Sequence, residues 1–143
     1  MAQLTFPEIE AIQTYLAPIT SKRARIMEAM RKLLETITVE KGYTVDVKEV
    51  SYNVKSWRDK TTAQCPVIYI VDNTTQITRH AGCVREYKWT LALFGVCREM
   101  DIVDFEKFLS DLETCLNDNN NLFGEINKME VDEITTDNQL FSG

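Results

Sequence analysis

The residues that could do acid–base or nucleophilic chemistry are few and scattered along the chain. His80 is the only histidine, and no nucleophile stands in a pattern that would pair with it. A Gly-rich phosphate loop is also missing from the sequence. The four cysteines form no CxxC pair and stand at or beside apolar positions, which is typical of small core residues: Cys65, Cys83, Cys97 and Cys115. These patterns predict neither an enzyme nor a cofactor nor a metal site.

One aromatic residue stands among charged residues in a polar stretch without periodicity, residues 55–64, which we predict to be an exposed loop. Trp57 precedes Arg58, and Lys60 follows two positions later. An aromatic ring beside cations is common where one protein anchors another, so these three residues are candidate interface residues. Two other interpretations stay open: stacking of the ring on a nucleic-acid base, and simple packing of the loop.

Acidic side chains crowd the end of the chain. Glu130, Asp132 and Glu133 lie within residues 125–135, which are predicted to form a strand, and Asp137 follows. Carboxylates bind hard cations such as Mg²⁺ or Ca²⁺, but the EF-hand spacing with its central glycine is missing. The pattern favours a solvated acidic strand, and Glu130, Asp132 and Glu133 are further candidate interface residues.

Charge is divided unevenly along the sequence. Residues 1–98 carry 14 basic and 10 acidic side chains, a net charge of +4, whereas residues 99–143 carry 2 basic and 12 acidic ones, a net charge of −10. Either the acids are simply solvated, or the opposite charges promote head-to-tail self-association. The total charge of −6 argues against a general polyanion binder.

Length and composition indicate one globular domain. A chain of 143 residues is long enough for a single core, and 44% hydrophobic with 27% charged residues excludes a disordered or fibrous chain. The longest apolar run, residues 66–71, is far shorter than the roughly 20 residues of a membrane-spanning helix. The first residues lack the pattern of a secretory signal. We therefore expect a soluble protein in a cytoplasm.

Two amphipathic helices are predicted before the strands. The first covers residues 6–16, with proline near its start, and Pro18 interrupts the helical pattern after it. The second covers residues 22–38, where apolar residues form one continuous stripe after a cap at Thr20-Ser21. Gly42 marks the turn that follows.

Four strands are predicted next, at residues 45–54, 65–71, 75–79 and 85–96, with turns at Asp72-Asn73 and at His80-Ala81-Gly82. The first strand changes parity near Lys48-Glu49, which indicates a bulge or a break. In the last strand the apolar residues alternate with polar ones, so we expect one buried and one wet face; the apolar side comprises Tyr87, Trp89, Leu91 and Leu93.

The last long helix is predicted from about residue 104 to 116, with Asp101 or Asp104 as its cap. The whole order predicts an α+β fold: a mostly antiparallel β-sheet packed on one face by two amphipathic helices, with an extra short N-terminal helix. The other face of the sheet is left for solvent or a partner. We expect a helical extension over residues 1–20 and a single α+β domain over residues 21–143.

The second helix begins near Arg25 with a stripe of apolar residues and ends before Lys41-Gly42-Tyr43. A Pro-led apolar strand at 65–70, an amphipathic strand at 85–96 and a helix at 104–116 follow. In this order and pattern, residues 22–137 resemble the tail terminator and tail completion (neck) proteins of tailed phages. The likeness is one of arrangement and not of an invariant motif.

The resemblance implies a structural virion protein of the tail or neck, assembled in the host cytoplasm. Such proteins form a homo-oligomeric ring, usually a hexamer, that caps the tail tube protein, stops its polymerisation and offers a docking surface to the head–tail connector or stopper protein. DNA passes through the lumen without specific binding, and an acidic lining would favour this by repulsion. No membrane is involved.

Two features depart from the family pattern. The helix at residues 6–16 is extra, and the usual final strand is missing or reduced to Leu140-Phe141. An open sheet edge would follow, and we expect a neighbouring subunit to pair with it. The alternatives are another phage neck, connector or baseplate protein, and a small nucleic-acid-binding or regulatory α+β module in which Arg58 and Lys60 make the contacts.

Overall fold

The computed structural model describes residues 4–53, 60–79, 81–83, 85–97 and 100–131. These residues form an α+β fold, as the sequence predicts. In chain order the long elements are α1 (Phe6–Leu16), α2 (Lys22–Leu34), β1 (Glu49–Ser51), β2 (Val67–Arg79), β3 (Arg85–Val96) and α3 (Ile102–Asp118). The described strands make one sheet in the order β1-β2-β3. Its pairing is mixed, since β1 runs parallel to β2 and β2 runs antiparallel to β3.

The first two helices begin where the sequence predicts. Thr5 caps α1 through a capping box with Glu8, and the Ser21 side chain accepts from the Ala24 amide at the start of α2. The prediction that α2 extends to Thr38 is wrong, because the Thr36 hydroxyl donates to the Leu33 carbonyl at 2.6 Å and three further β-branched residues follow.

Gly42 ends a short 3₁₀ helix, Val39–Lys41, rather than α2 itself. Its φ of 97° lies in the left-handed region, which a glycine adopts at no steric cost. The turn predicted at this position is therefore confirmed, although it lies eight residues beyond the end of the long helix.

The first strand is shorter than predicted and runs the other way. Only Glu49–Ser51 forms β1, so Val45 and Val47 precede the strand and Val54 lies outside the described residues. The predicted break at Lys48-Glu49 is confirmed as the point where the strand begins. The antiparallel pairing expected for it is wrong, because residues 52–66 are long enough for the crossover that a parallel neighbour needs.

The second strand continues through a predicted turn. Asp72-Asn73 does not reverse the chain; a register shift between Asp72 and Thr74 marks a bulge there, and β2 runs on to Arg79. The two strands predicted at 65–71 and 75–79 are thus one. The reversal occurs at Ala81–Cys83, where Gly82 has a φ of 76°.

The core lies between α2, α3 and one face of the sheet. Ile68 and Ile70 point to this face, and Leu91 and Leu93 of β3 pack against it as predicted. Tyr87 departs from the prediction, because it belongs to the same face but lies beyond the helices and is 61% exposed. The fully buried side chains of this cluster include Leu16, Ala29, Leu33, Leu34, Ile37, Phe108, Cys115 and Leu122.

The opposite face of the sheet is also covered at the end where Val67 pairs with Val96. Val67, Tyr69 and Val96 are buried there and cluster with Cys65. The expectation that this whole face is left for solvent or a partner is wrong for that part of the sheet, because the chain leading into β2 contributes Cys65 to the cluster. Phe94 and the polar residues further along remain exposed.

The last helix is capped by Asp101, whose side chain accepts from the Asp104 amide at 2.9 Å. The buried Asp111 accepts from both the amide and the hydroxyl of Thr44, at 2.8 and 2.6 Å, and so joins α3 to the segment after Gly42. Residues 125–131 contain no strand, contrary to the prediction for 125–135; the remainder of that range lies outside the described residues.

Candidate interaction surfaces

The β2–β3 hairpin is longer than the body that supports it. Its last pairs join residues 76–79 to residues 85–88, and we call these eight residues the arm. At the usual rise of a strand, four residue pairs extend about 13 Å. Every one of these side chains is exposed, although Lys88 lies close enough to Glu130 to help lower the pKa of that carboxyl.

One face of the arm is apolar and basic. Ile77 pairs directly with Tyr87, and these side chains are 55% and 61% exposed. Arg79 pairs with Arg85 at the next position on the same face. Like charges directly opposite one another destabilise a two-stranded ribbon, and an isolated ribbon is marginal in water. The arm therefore exposes apolar area and uncompensated positive charge together.

The root of the arm is fixed to the start of α2. The Arg23 guanidinium carbon lies 4.1 Å from the centroid of the Trp89 ring, and Arg23 donates to Asp72 at 3.3 Å and to Thr75 at 3.1 Å. The Trp89 indole donates to the same Asp72 carboxylate at 2.7 Å. Because three elements share these contacts, the direction of the arm relative to the body is set.

A second exposed surface lies at the start of α3. We call it the helix patch, and it comprises Asp101, Ile102, Val103, Asp104 and Glu106. Ile102 and Val103 are 65% and 60% exposed, although they open an amphipathic helix. Lys107 lies 3.8 Å from Asp104, so the patch and this lysine together carry a net charge of −2. The helix patch is thus apolar and acidic, whereas the arm is apolar and basic.

The predicted loop site is only partly described. Trp57 and Arg58 lie outside the described residues, so their role stays a prediction. Lys60 donates to both carboxylate oxygens of Glu49, at 2.9 and 3.1 Å, and this bond raises the pKa of Lys60. With a side chain only 14% exposed, Lys60 is engaged within its own chain at β1.

The predicted acidic site is likewise incomplete. Glu130 lies 2.7 Å from Lys128, which lowers the pKa of this carboxyl, and both side chains are more than half exposed. Asp132 and Glu133 lie outside the described residues. The structure therefore pairs Lys60 and Glu130 with different local partners and does not join them into one site.

The described cysteines are poor nucleophiles. Burial raises the pKa of Cys97 to about 12 and that of Cys115 to about 11, so the thiolate form is disfavoured at neutral pH. Cys65 is buried as well, and the side chain of Cys83 is not described. Within the described ranges, no three His, Cys, Asp or Glu side chains gather closely enough to hold a metal ion.

In the part of the chain that the structure describes, no helix combines the length and the apolar character required to cross a bilayer. Comparison with protein-family models, with curated proteins and with solved structures finds no match for this chain.

The arm is the surface that the sequence analysis missed. The turn predicted at Asp72-Asn73 divides β2 and puts its second half in a separate short strand. A signal was present, because a single strand through these residues matches the predicted β3 in length, with 13 residues against 12. The helix patch was missed because Ile102 and Val103 were left before the start of the predicted helix.

Proposed function

We propose that this chain is a structural subunit of a phage tail: a tail terminator that forms a ring, most simply of six copies, at the head-proximal end of the tail tube. The observation that carries the proposal is the presence, on one chain, of an exposed basic arm and an exposed acidic helix patch. Two different complementary surfaces on one subunit favour a heterologous contact, and such a contact closes into a ring when the rotation between neighbouring copies divides a full turn.

The charge distribution supports the same arrangement. The net charge of +4 before residue 99 and of −10 after it favours contacts between the first part of one copy and the last part of the next. The number six and the terminator role come from the resemblance in the order of elements. The α+β arrangement of the described residues is compatible with that resemblance.

In this role the ring caps the tube protein on one side and meets the connector or stopper protein on the other. DNA would pass through the lumen without specific binding, because acidic side chains repel phosphates at close range. The proposed role is structural, within the virion tail or neck, and needs no catalysis, cofactor or membrane. Assembly would take place in the host cytoplasm.

Labelling of the chain within phage particles tests this proposal. An epitope tag is added to the C-terminal end, and immunogold particles are located on negatively stained virions. The proposal predicts gold at the junction of head and tail. Gold at the distal tip would indicate a baseplate protein instead. Particles without gold would overturn the virion role and favour the nucleic-acid-binding or regulatory module.

A further inference from the structure

We infer that the arm of one subunit docks on the helix patch of the next, so that a second copy of this chain is the occupant of both surfaces. This inference rests on the proposed ring and specifies its contact. Both surfaces are exposed in the same chain, so neither covers the other within the subunit. A heterologous contact between copies covers both at once.

Each of the two surfaces presents a pair of exposed apolar side chains. The arm presents the paired Ile77 and Tyr87, and the helix patch presents the adjacent Ile102 and Val103, all of them at least 55% exposed. Burying these four side chains against one another removes apolar area from water on both subunits. It also gives the two-stranded arm the packing against a helix that an isolated ribbon lacks.

The charges around the apolar residues are opposite. Arg79 and Arg85 face each other across the arm, and neither has an ion-pair partner among the described residues. Asp101, Asp104 and Glu106 surround the apolar pair of the helix patch, with Lys107 as the one nearby cation. Carboxylates placed between the two guanidinium groups would remove their mutual repulsion.

Charge exchange tests the contact directly. Arg85→Glu reverses a charge on the arm, and Glu106→Lys reverses one on the helix patch. Each single variant should raise the concentration needed for half-assembly about tenfold in sedimentation velocity experiments. The chain carrying both substitutions should assemble again nearly as well as wild type, because the exchanged charges meet across the same contact. An equimolar mixture of the two single variants should also assemble, with alternating subunits.

Matched controls lie on the same two elements. Lys88→Glu changes a charge on the opposite face of the arm, three residues from Arg85. Glu113→Lys changes an exposed acid on α3 about 10 Å further along the helix than Glu106. Both controls should assemble like wild type. The substituted residues are exposed, and circular dichroism melting curves verify that every variant is folded.

The possible outcomes separate the inference from the proposed function. Loss in both single variants with recovery in the double variant supports the contact. If Arg85→Glu assembles as well as wild type, the inference is overturned but the proposed ring is not. The same holds if the single variants lose assembly and the double variant does not recover it. A wild-type chain that stays monomeric at every concentration contradicts the proposed ring, and the inference with it.

Discussion

Glu28 on α2 is bonded to three neighbours at the surface between α1, α2 and β1. It accepts from the Tyr15 hydroxyl at 2.7 Å, from the Tyr52 hydroxyl, and from Arg31 at 2.8 and 3.0 Å. Arg31 is the largest influence among those that lower the pKa of Glu28 to about 2, and burial opposes it. The ionised carboxylate therefore joins α1, α2 and the residue that follows β1, and these bonds favour its charged form.

This network predicts a pH-dependent stability. Because the pKa of Glu28 is lowered from 4.5 to about 2 by folding, its contribution is fully present above about pH 4.5 and is lost as the pH falls toward 2. Glu28→Gln should lower the free energy of unfolding by about 1–2 kcal/mol at pH 6, after allowance for solvent screening, and by much less at pH 2.5. Urea unfolding at the two pH values measures the difference.

The control for this prediction is Glu40→Gln, an exposed residue of the short helix before Gly42. It should change the stability by less than about 0.5 kcal/mol at either pH. An equal loss for Glu28→Gln at pH 6 and pH 2.5 would show that ionisation of Glu28 does not stabilise the fold.

Gly95 on β3 lets Phe108 of α3 approach the sheet. A Cβ added at Gly95 would lie 2.7 Å from Phe108 Cε2, and Phe108 is fully buried, so its ring has no free space to enter. Gly95→Ala should therefore cost about 1–3 kcal/mol of stability by overpacking. Urea unfolding of the single variant measures this cost.

A second substitution identifies the cause. Phe108→Leu shortens the side chain that the new methyl group meets, so the double variant should be at least about 0.5 kcal/mol more stable than the sum of the single losses predicts. Strictly additive losses would mean that Gly95→Ala acts through the strand backbone and not through Phe108.

At the scale of elements, the arm adds surface but little to the core. Its eight side chains are all exposed, whereas Asp72, Thr75 and Trp89 already fix the root of the hairpin to Arg23. Shortening the hairpin beyond its root should therefore leave the body folded. The arm should matter for association between copies.

A shortened hairpin tests this division of roles. Residues 77–87 are replaced by Asn-Gly, which suits a two-residue turn between the paired Gln76 and Lys88. The free energy of unfolding should change by less than about 1 kcal/mol, because exposed residues contribute little. Assembly measured by sedimentation velocity should be lost. A shortened chain that assembles like wild type would contradict the role given to the arm.

The accuracy of the sequence predictions follows from how local each signal is. Ser21 and Asp101 cap their helices through bonds within one turn, and the starts of α1 and α2 were predictable from nearby residues. The start of α3 was not, because Asp101 and Asp104 are equally good caps in the sequence. The direction of β1 depends on the crossover of residues 52–66, and no local pattern determines it. Asp72-Asn73 has the composition of a turn, but in the structure it forms a bulge. Pairing with β3 on both sides of these residues keeps the chain extended.

The candidate sites were less predictable than the elements. Lys60 was predicted to contact another molecule, but it donates to Glu49 of its own chain, which the fold places beside it. Ile77 and Tyr87 alternate like core residues, and their sequence pattern does not tell how far the helices extend over the sheet. They are exposed because α2 begins beside Thr75 and so does not extend over the arm, which is a property of the packed molecule.

At the scale of the whole molecule, the separation of charge predicts a salt-sensitive assembly. The Debye length falls from about 10 Å at 0.1 M salt to about 3 Å at 1 M, so attraction between the arm and the helix patch is screened. The concentration for half-assembly should rise about tenfold between these conditions, as followed by light scattering. A ring indifferent to 1 M salt would contradict an electrostatic contribution to the contact.

The most direct test of the terminator role is the length of tails made without this protein. Electron micrographs of a lysate from a phage lacking the gene are scored for tail length against the parent phage. The account predicts overlong tubes without heads, because tube polymerisation loses its stop. Tails of normal length would contradict it, whether they fail to join heads, as expected for a connector, or form complete particles.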